Sequence, residues 1–227
     1  MKFPTQIILI AVLFTSYSCN KSLDNAGIAL PSSLDEISDI ITIADCTSPM
    51  GDYLTEVRSM GDGSCLFIQK SNTSNHPFIA KIKDDGLGYV LSEHDNIIDT
   101  LSRENVEMIR GHEIHKMSIN PKFFFDEISL DQATSKLDQQ YYHAKDGLGQ
   151  PVKISYTRKD QKITKIELIN PRDARQTIEI IYNSWIATKY GDLAKNVDIV
   201  QAQKDTFNFN FKSLKIYDKS GNKTNFN

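Results

Sequence analysis

The chain has 227 residues, with 26 basic and 29 acidic side chains and a formal net charge of −3. No stripe of Lys and Arg with interleaved aromatics stands out against this mildly acidic balance, so the electrostatic footprint of a DNA or RNA binder is missing. At 40% hydrophobic residues the chain can build a sizeable core, and its length suits one large sheet-rich domain.

The N-terminus opens with Lys2, the apolar run Ile7 to Phe14, the small polar stretch Thr15 to Ser18, and then Cys19. A positive residue, a short apolar run and small residues before a cut describe a signal peptide. The run is too short for the roughly 20 residues of a membrane span. The segment resembles the lipoprotein signal family, in which the cysteine after a small residue is lipidated and the peptide before it removed. Ser18 fills that preceding position, whereas Ser16 departs from the aliphatic residue of strict versions. An ordinary secretory signal cut near Ser18 is the alternative, and both place the chain outside the cytoplasm. The resemblance implies a signal peptide over 1–18, lipid attachment at Cys19 and a polar tether over 19–33. Asn20 stands where an inner-membrane retention signal has Asp, which by resemblance points to the outer membrane.

Two further cysteines, Cys46 and Cys65, then lie in a compartment where disulfides persist. A bridge between them would close a loop of roughly 20 residues and add about 3 kcal/mol by chain entropy. Two small buried thiols are the alternative.

Ser33, with Asp35 and Glu36 behind it, has the chemistry of a helix N-cap and first turn. Leu34, Ile37, Ile41 and Ala44 follow at helical spacing, which predicts a first helix over about residues 34 to 45. From Tyr53 the period changes. Apolar runs at Tyr53 to Met60, Cys65 to Gln69, Phe78 to Lys83 and Tyr89 to Ser92 are parted by Asp62-Gly63, His76-Pro77 and Asp85-Gly86, which predicts antiparallel strands joined by hairpins. Ser102 can cap a helix carrying Val106 and Ile109, with Gly111 placed for a left-handed stop. Residues 112–145 are ambiguous: Leu130 to Leu137 fits a further helix, and Asn120-Pro121 with Phe123, Phe124 and Phe125 fits an irregular aromatic segment.

From Pro151 onward Val152, Ile154 and Tyr156, Ile178 and Ile180, Val197 and Ile199, and Phe207, Phe209 and Phe211 alternate with polar partners. Such alternation describes a sheet with one face buried. Turns are expected at Lys159-Asp160, Asn170-Pro171, Asn183-Ser184, Tyr190-Gly191 and Lys204-Asp205, and a frayed tail over 220–227. The fold class is α+β: a mostly antiparallel sheet of about ten strands, curved or an incomplete barrel, with two or three helices packed on one face, in a single domain over 34–227.

This order of elements is similar to that of the LolA and LolB family of lipoprotein carriers, in which helices lid an incomplete antiparallel barrel around a greasy cavity. The resemblance rests on element order, size and the lipoprotein signal, and transfers no functional residue. It implies a non-enzymatic envelope lipoprotein that binds or carries a hydrophobic ligand such as a lipid or acyl chain, anchored in the membrane through its lipid.

Two other functions stay open. A closed core whose outer surface docks an envelope partner needs no cavity. A metal-dependent hydrolase would use His112, Glu113 and His115 (with Ile114 between them) and His94 upstream, since His-x-x-His puts two imidazoles on one helical face. That segment follows a helix stop and lacks the His-Glu-x-x-His spacing, so the pattern leaves metal and catalytic sites unassigned. No P-loop, Gly-x-Gly-x-x-Gly or Gly-x-Ser-x-Gly motif is present, and no cofactor is expected. Asp146-Gly147-Leu148-Gly149 reads as a hairpin loop. The aromatics Phe123 to Phe125, Tyr141, Tyr142, Trp185, Phe207, Phe209 and Phe211 can line a ligand cavity or fill a core.

Overall fold

The computed structural model describes residues 37–226. The expected signal peptide over 1–18, Cys19 and the expected tether over 19–33 lie outside them. The expected first helix is instead a strand where it is described, β1 (Ile37–Thr47). The spacing of Ile37, Ile41 and Ala44 fits a helix, but the buried positions are Ile40, Thr42, Ala44 and Cys46. That is the period of a strand, and the β-branched Ile and Thr residues that dominate the segment are stiff at χ1 and suit a pleated surface.

A meander follows: β2 (Tyr53–Ser59), β3 (Cys65–Ser71), β4 (Phe78–Ile82), β5 (Gly88–Leu91) and β6 (Ile97–Thr100). Its Asp-Gly turns form as expected, with Gly63 at φ +93 and Gly86 at φ +84, conformations that a Cβ would strain. β6 was not anticipated, because an exposed edge strand has no buried face to impose alternation.

Two short helices interrupt the sheet, α1 (Arg103–Arg110) and α2 (Ile114–Ile119). The Ser102 hydroxyl accepts from the Asn105 N–H at 3.3 Å, the expected N-cap. Gly111 ends α1 at φ −57, right-handed and not left-handed, since the chain runs on through tight turns in which the His112 and Glu113 N–H groups donate to the Ile109 and Arg110 carbonyls. After a turn of 3-10 helix at Pro121–Phe123, a second meander runs through β7 (Asp126–Leu130), β8 (Gln139–Lys145), β9 (Pro151–Thr157), β10 (Lys162–Asn170), β11 (Asp173–Thr188), β12 (Gly191–Gln201) and β13 (Asp205–Asp218). The stretch Leu130 to Leu137 is the end of β7 and a turn in which the Asp131 carboxylate accepts from the Ala133 and Thr134 N–H groups. Asn183-Ser184 is a bulge inside the 16-residue β11 and not a turn. The C-terminal tail, expected to fray, instead contains β14 (Lys223–Phe226), paired with β13.

All pairings are antiparallel, and the strand order is β6-β5-β4-β3-β2-β1-β13-β12-β11-β10-β9-β8-β7. Two local meanders are thus welded by a single long-range pair, β1 with β13. β6 and β7 remain as separate edges, so the sheet is curved and open, with fourteen strands where about ten were expected.

The same register separates the two cysteines. Cys46 faces Tyr53 on β2, whereas Cys65 faces Ser59, whose partner on β1 is Ile40. The run from Ile40 to Cys46 spans about 20 Å at ~3.3 Å per residue, far beyond the ~7 Å Cα limit of a disulfide. Both thiols are free and buried, and the expected bridge does not form.

Candidate functional site

One face of the sheet is apolar almost from edge to edge. Neighbouring strands place Ala80, Phe67, Val57 and Thr42 side by side, and on the other half Phe209, Val197 and Tyr182, then Ile180, Ile166, Ile154 and Tyr142. All of these side chains are buried. This inner face is the surface that α1 and α2 cover.

Each helix seals a different region. α1 lays Val106 and Ile109 on Val57, Phe67, Ala80 and Ile82. It sits so close to β5 that a Cβ on Gly88 would be 2.6 Å from Val106 Cγ2, so only glycine fits there. α2 inserts Ile114 and Met117 among Phe125, Tyr142, Ile154 and Ile166, and Ile119 joins Ile40, Tyr190, Leu193, Leu214 and Ile216.

Polar contacts tie the helices down at defined points. Arg110 donates to Glu113 at 3.0 Å and to the Gly63 carbonyl at 3.2 Å, and Lys116 donates to the Met60 carbonyl at 2.6 Å. The Lys116 ammonium also lies 3.9 Å from the centre of the Phe123 ring. Both cations therefore grip the β2–β3 hairpin. Glu113 is 1% exposed, and its second carboxylate oxygen has no hydrogen-bond partner. Burial raises its pKa above the ordinary carboxylate value, opposed by the charges of Arg110 and Lys116.

His112, Glu113 and His115 do not converge on a common point. The His112 ring packs 4.6 Å from Phe67 and 5.9 Å from Phe209, centre to centre, while its Nδ1–H donates to the Met108 carbonyl at 3.0 Å. His115 points elsewhere: its Nε2–H donates to the Ala194 carbonyl at 2.8 Å, and its ring meets Phe211 edge-on at 4.3 Å. Burial lowers both imidazole pKa values, that of His115 to about 4. His94 lies exposed in the turn after β5. Among the described residues no group of three His, Cys, Asp or Glu side chains could hold a metal. His112 and His115 are fasteners between the helical segment and the sheet, and the hydrolase constellation does not assemble.

Most of the aromatics anticipated as cavity lining or core pack as core, whereas Phe123 is 40% exposed and Tyr141 lies on the face opposite Tyr142. Phe125, Tyr142 and Phe209 are buried, and Phe124, Trp185, Phe207 and Phe211 pack around them. Sequence reading missed Arg110 and Lys116, whose spacing from Glu113 was its only visible signal. It also missed Tyr182, whose hydroxyl donates to the Ile114 carbonyl at 3.3 Å. A small half-open gap of about 30 Å³ lies beside Met117, Phe124, Phe125 and Leu168.

No family model matches the chain, and no curated protein matches it. Solved structures do. A LolA superfamily protein from Nitrosomonas europaea superposes with a TM-score of 0.54 at 11% identity, over 79% of this chain and 86% of the other. The fold is LolA-like. A DUF1329 family protein from Desulfovibrio piger gives a TM-score of 0.51 at 8% identity, over 80% of this chain and 87% of the other. In this LolA-like chain the open sheet and its two covering helices agree with the architecture expected from element order.

Proposed function

We propose that this chain is a non-enzymatic cell-envelope lipoprotein, held to the outer membrane by a lipid on Cys19, whose inner face takes a hydrophobic ligand such as a lipid or acyl chain beneath α1 and α2. The observation that carries this reading is the way the apolar face is covered. Two helices of 8 and 6 residues, outside the sheet's hydrogen-bond ladder and fastened by a handful of polar contacts, lie over a surface that extends across most of the strands. The LolA-like fold supports the same reading, since the similar Nitrosomonas protein carries that superfamily's name.

A void of about 30 Å³ is far below the 300–1,000 Å³ of ordinary ligand sites. An acyl chain enters at that point only if α2, with Ile114 and Met117 packed among Phe125, Tyr142 and Ile154, lifts from the sheet. That packing also favours the second reading, in which the core stays shut and the outer surface docks an envelope partner.

Extraction of the native lipoprotein in mild detergent, followed by mass spectrometry of solvent-extractable lipids, separates the two. A copurifying apolar molecule distinct from the covalent lipid is expected. A protein that emerges free of ligand, and takes up no fatty acid when offered one, supports the closed-core reading. The Cys19→Ala chain tests the anchor separately: it is expected to leave the membrane fraction.

A further inference from the structure

The outer face of β2 to β5 carries a cleft that the inner-face reading does not use. Register places Arg58, Leu66, Lys81 and Tyr89 side by side on four neighbouring strands. Their chain neighbours Val57, Phe67 and Ala80 point inward to the core, so this row faces the other way. Around it lies a cleft of about 460 Å³ that also takes in Lys83, Leu91 and Ile97, a volume within the range of small-molecule sites.

The lining is polarised along the strands. Arg58, Lys81 and Lys83 gather toward the β2–β3 and β4–β5 turns, while Leu91 and Ile97, which pair with each other, lie two residues further down. Arg58 is paired with Glu56 at 2.7 Å. Lys81 and Lys83 have no carboxylate partner among the described residues, and Lys83 instead lies 4.7 Å from the centre of the Tyr89 ring. The one acid in the lining, Asp95, belongs to the turn beyond Leu91. Ile97 is 58% exposed, an apolar cost that a bound tail would relieve.

We propose that this cleft is a second binding site, for a single-chain amphiphile whose anionic head meets Lys81 and Lys83 and whose apolar tail runs over Leu66 toward Leu91 and Ile97. The charge order fixes the direction: a reversed ligand would set its head against Asp95 and strand its tail among ammonium groups. The site is separate from the inner face, and neither depends on the other.

Titration of the full chain with dodecanoate below its micellar concentration, followed by amide NMR shifts, tests it. Saturable shifts at Leu66, Lys81, Tyr89 and Leu91 are expected. Dodecyltrimethylammonium, with the same tail and the opposite charge, is expected to leave them unmoved. Lys81 and Lys83 are exposed, so the K81E/K83E chain keeps its fold, verified by unchanged shifts in β9 to β12. Its affinity at this cleft should fall by about tenfold or more, the scale of a lost charge-assisted contact. Shifts confined to inner-face residues would overturn the second site and leave the inner-face reading standing. Equal binding of the cationic amphiphile, or wild-type affinity in K81E/K83E, would overturn it as well.

Discussion

The Nε2–H of His115 donates to the carbonyl of Ala194 across 2.8 Å and 79 residues of sequence, bolting α2 to β12. The ring is 2% exposed, and burial lowers its pKa from 6.5 to about 4. A depressed folded-state pKa means that the unfolded chain binds the proton first. The stabilisation is complete above pH 6.5 and is lost as pH falls toward about 4, by up to about 3 kcal/mol. Glu113 acts in the opposite sense, because its raised pKa favours the folded state at low pH and that share is lost as pH rises. Urea midpoints of the wild-type and His115→Gln chains, compared from pH 7 to pH 4, isolate the histidine. The variant should lack the His115 share of the acid loss and show a shallower pH dependence, His112 supplying a further share of the same sign, and parallel curves would contradict the assignment.

Arg110 and Glu113 form the least exposed ion pair described, with side chains 17% and 0% exposed. Removing one partner of such a pair strands the other, typically at 3–5 kcal/mol. Arg110→Met is expected to cost about 3 kcal/mol on that scale. The R110M/E113Q chain should be more stable than the sum of the single losses, because it leaves no uncompensated carboxylate. Denaturant unfolding of the four chains checks this, and strict additivity would show that the two groups are not coupled.

The thiols should be inert. Burial pushes Cys46 to about 11 and Cys65 well above the ordinary thiol value, and thiolate is the reactive species. Alkylation at pH 8 should be slow in the native chain and complete at both positions in urea without a reductant. A Cys46–Cys65 linked peptide under non-reducing conditions would refute the register.

Two glycines near the helices should respond differently to alanine. At Gly88 the new methyl meets Val106 and Leu101 side chains within 2.6–3.1 Å in a packed layer, an overpacking worth about 1–3 kcal/mol. At Gly147 it meets the Glu107 carboxylate, the end of a flexible side chain that can swing aside. Thermal unfolding should therefore drop clearly for G88A and little for G147A, with faster proteolysis near α1 in G88A alone.

The second meander was legible because Val152, Ile154 and Tyr156 or Phe207, Phe209 and Phe211 alternate in a way only a half-buried strand requires. Asp62-Gly63 and Asp85-Gly86 declared their hairpins through backbone chemistry. Residues 37–47 misled because Ile37, Ile41 and Ala44 fit helical spacing while Ile40, Thr42, Ala44 and Cys46 in the same segment alternate as a strand, and what decided between them was pairing with β13, a partner some 180 residues away that no local pattern encodes. The strand that replaces the helix pairs with β2 in a register that keeps Cys46 and Cys65 apart, so the disulfide failed with the helix. The site was half legible. His112, Glu113 and His115 were visible as a cluster, but the directions in which their side chains leave α2 and the turn before it depend on where the sheet lies.

The most direct test of a ligand-taking inner face is photo-crosslinking with a diazirine-bearing fatty acid, the modified residues being mapped by mass spectrometry. Adducts are expected on Met117, Phe125, Tyr142 or Ile154, beneath α2, and their yield should rise in Arg110→Met, where the helices are less firmly held. Adducts confined to the outer strands, or none on these residues in either chain, would contradict the account.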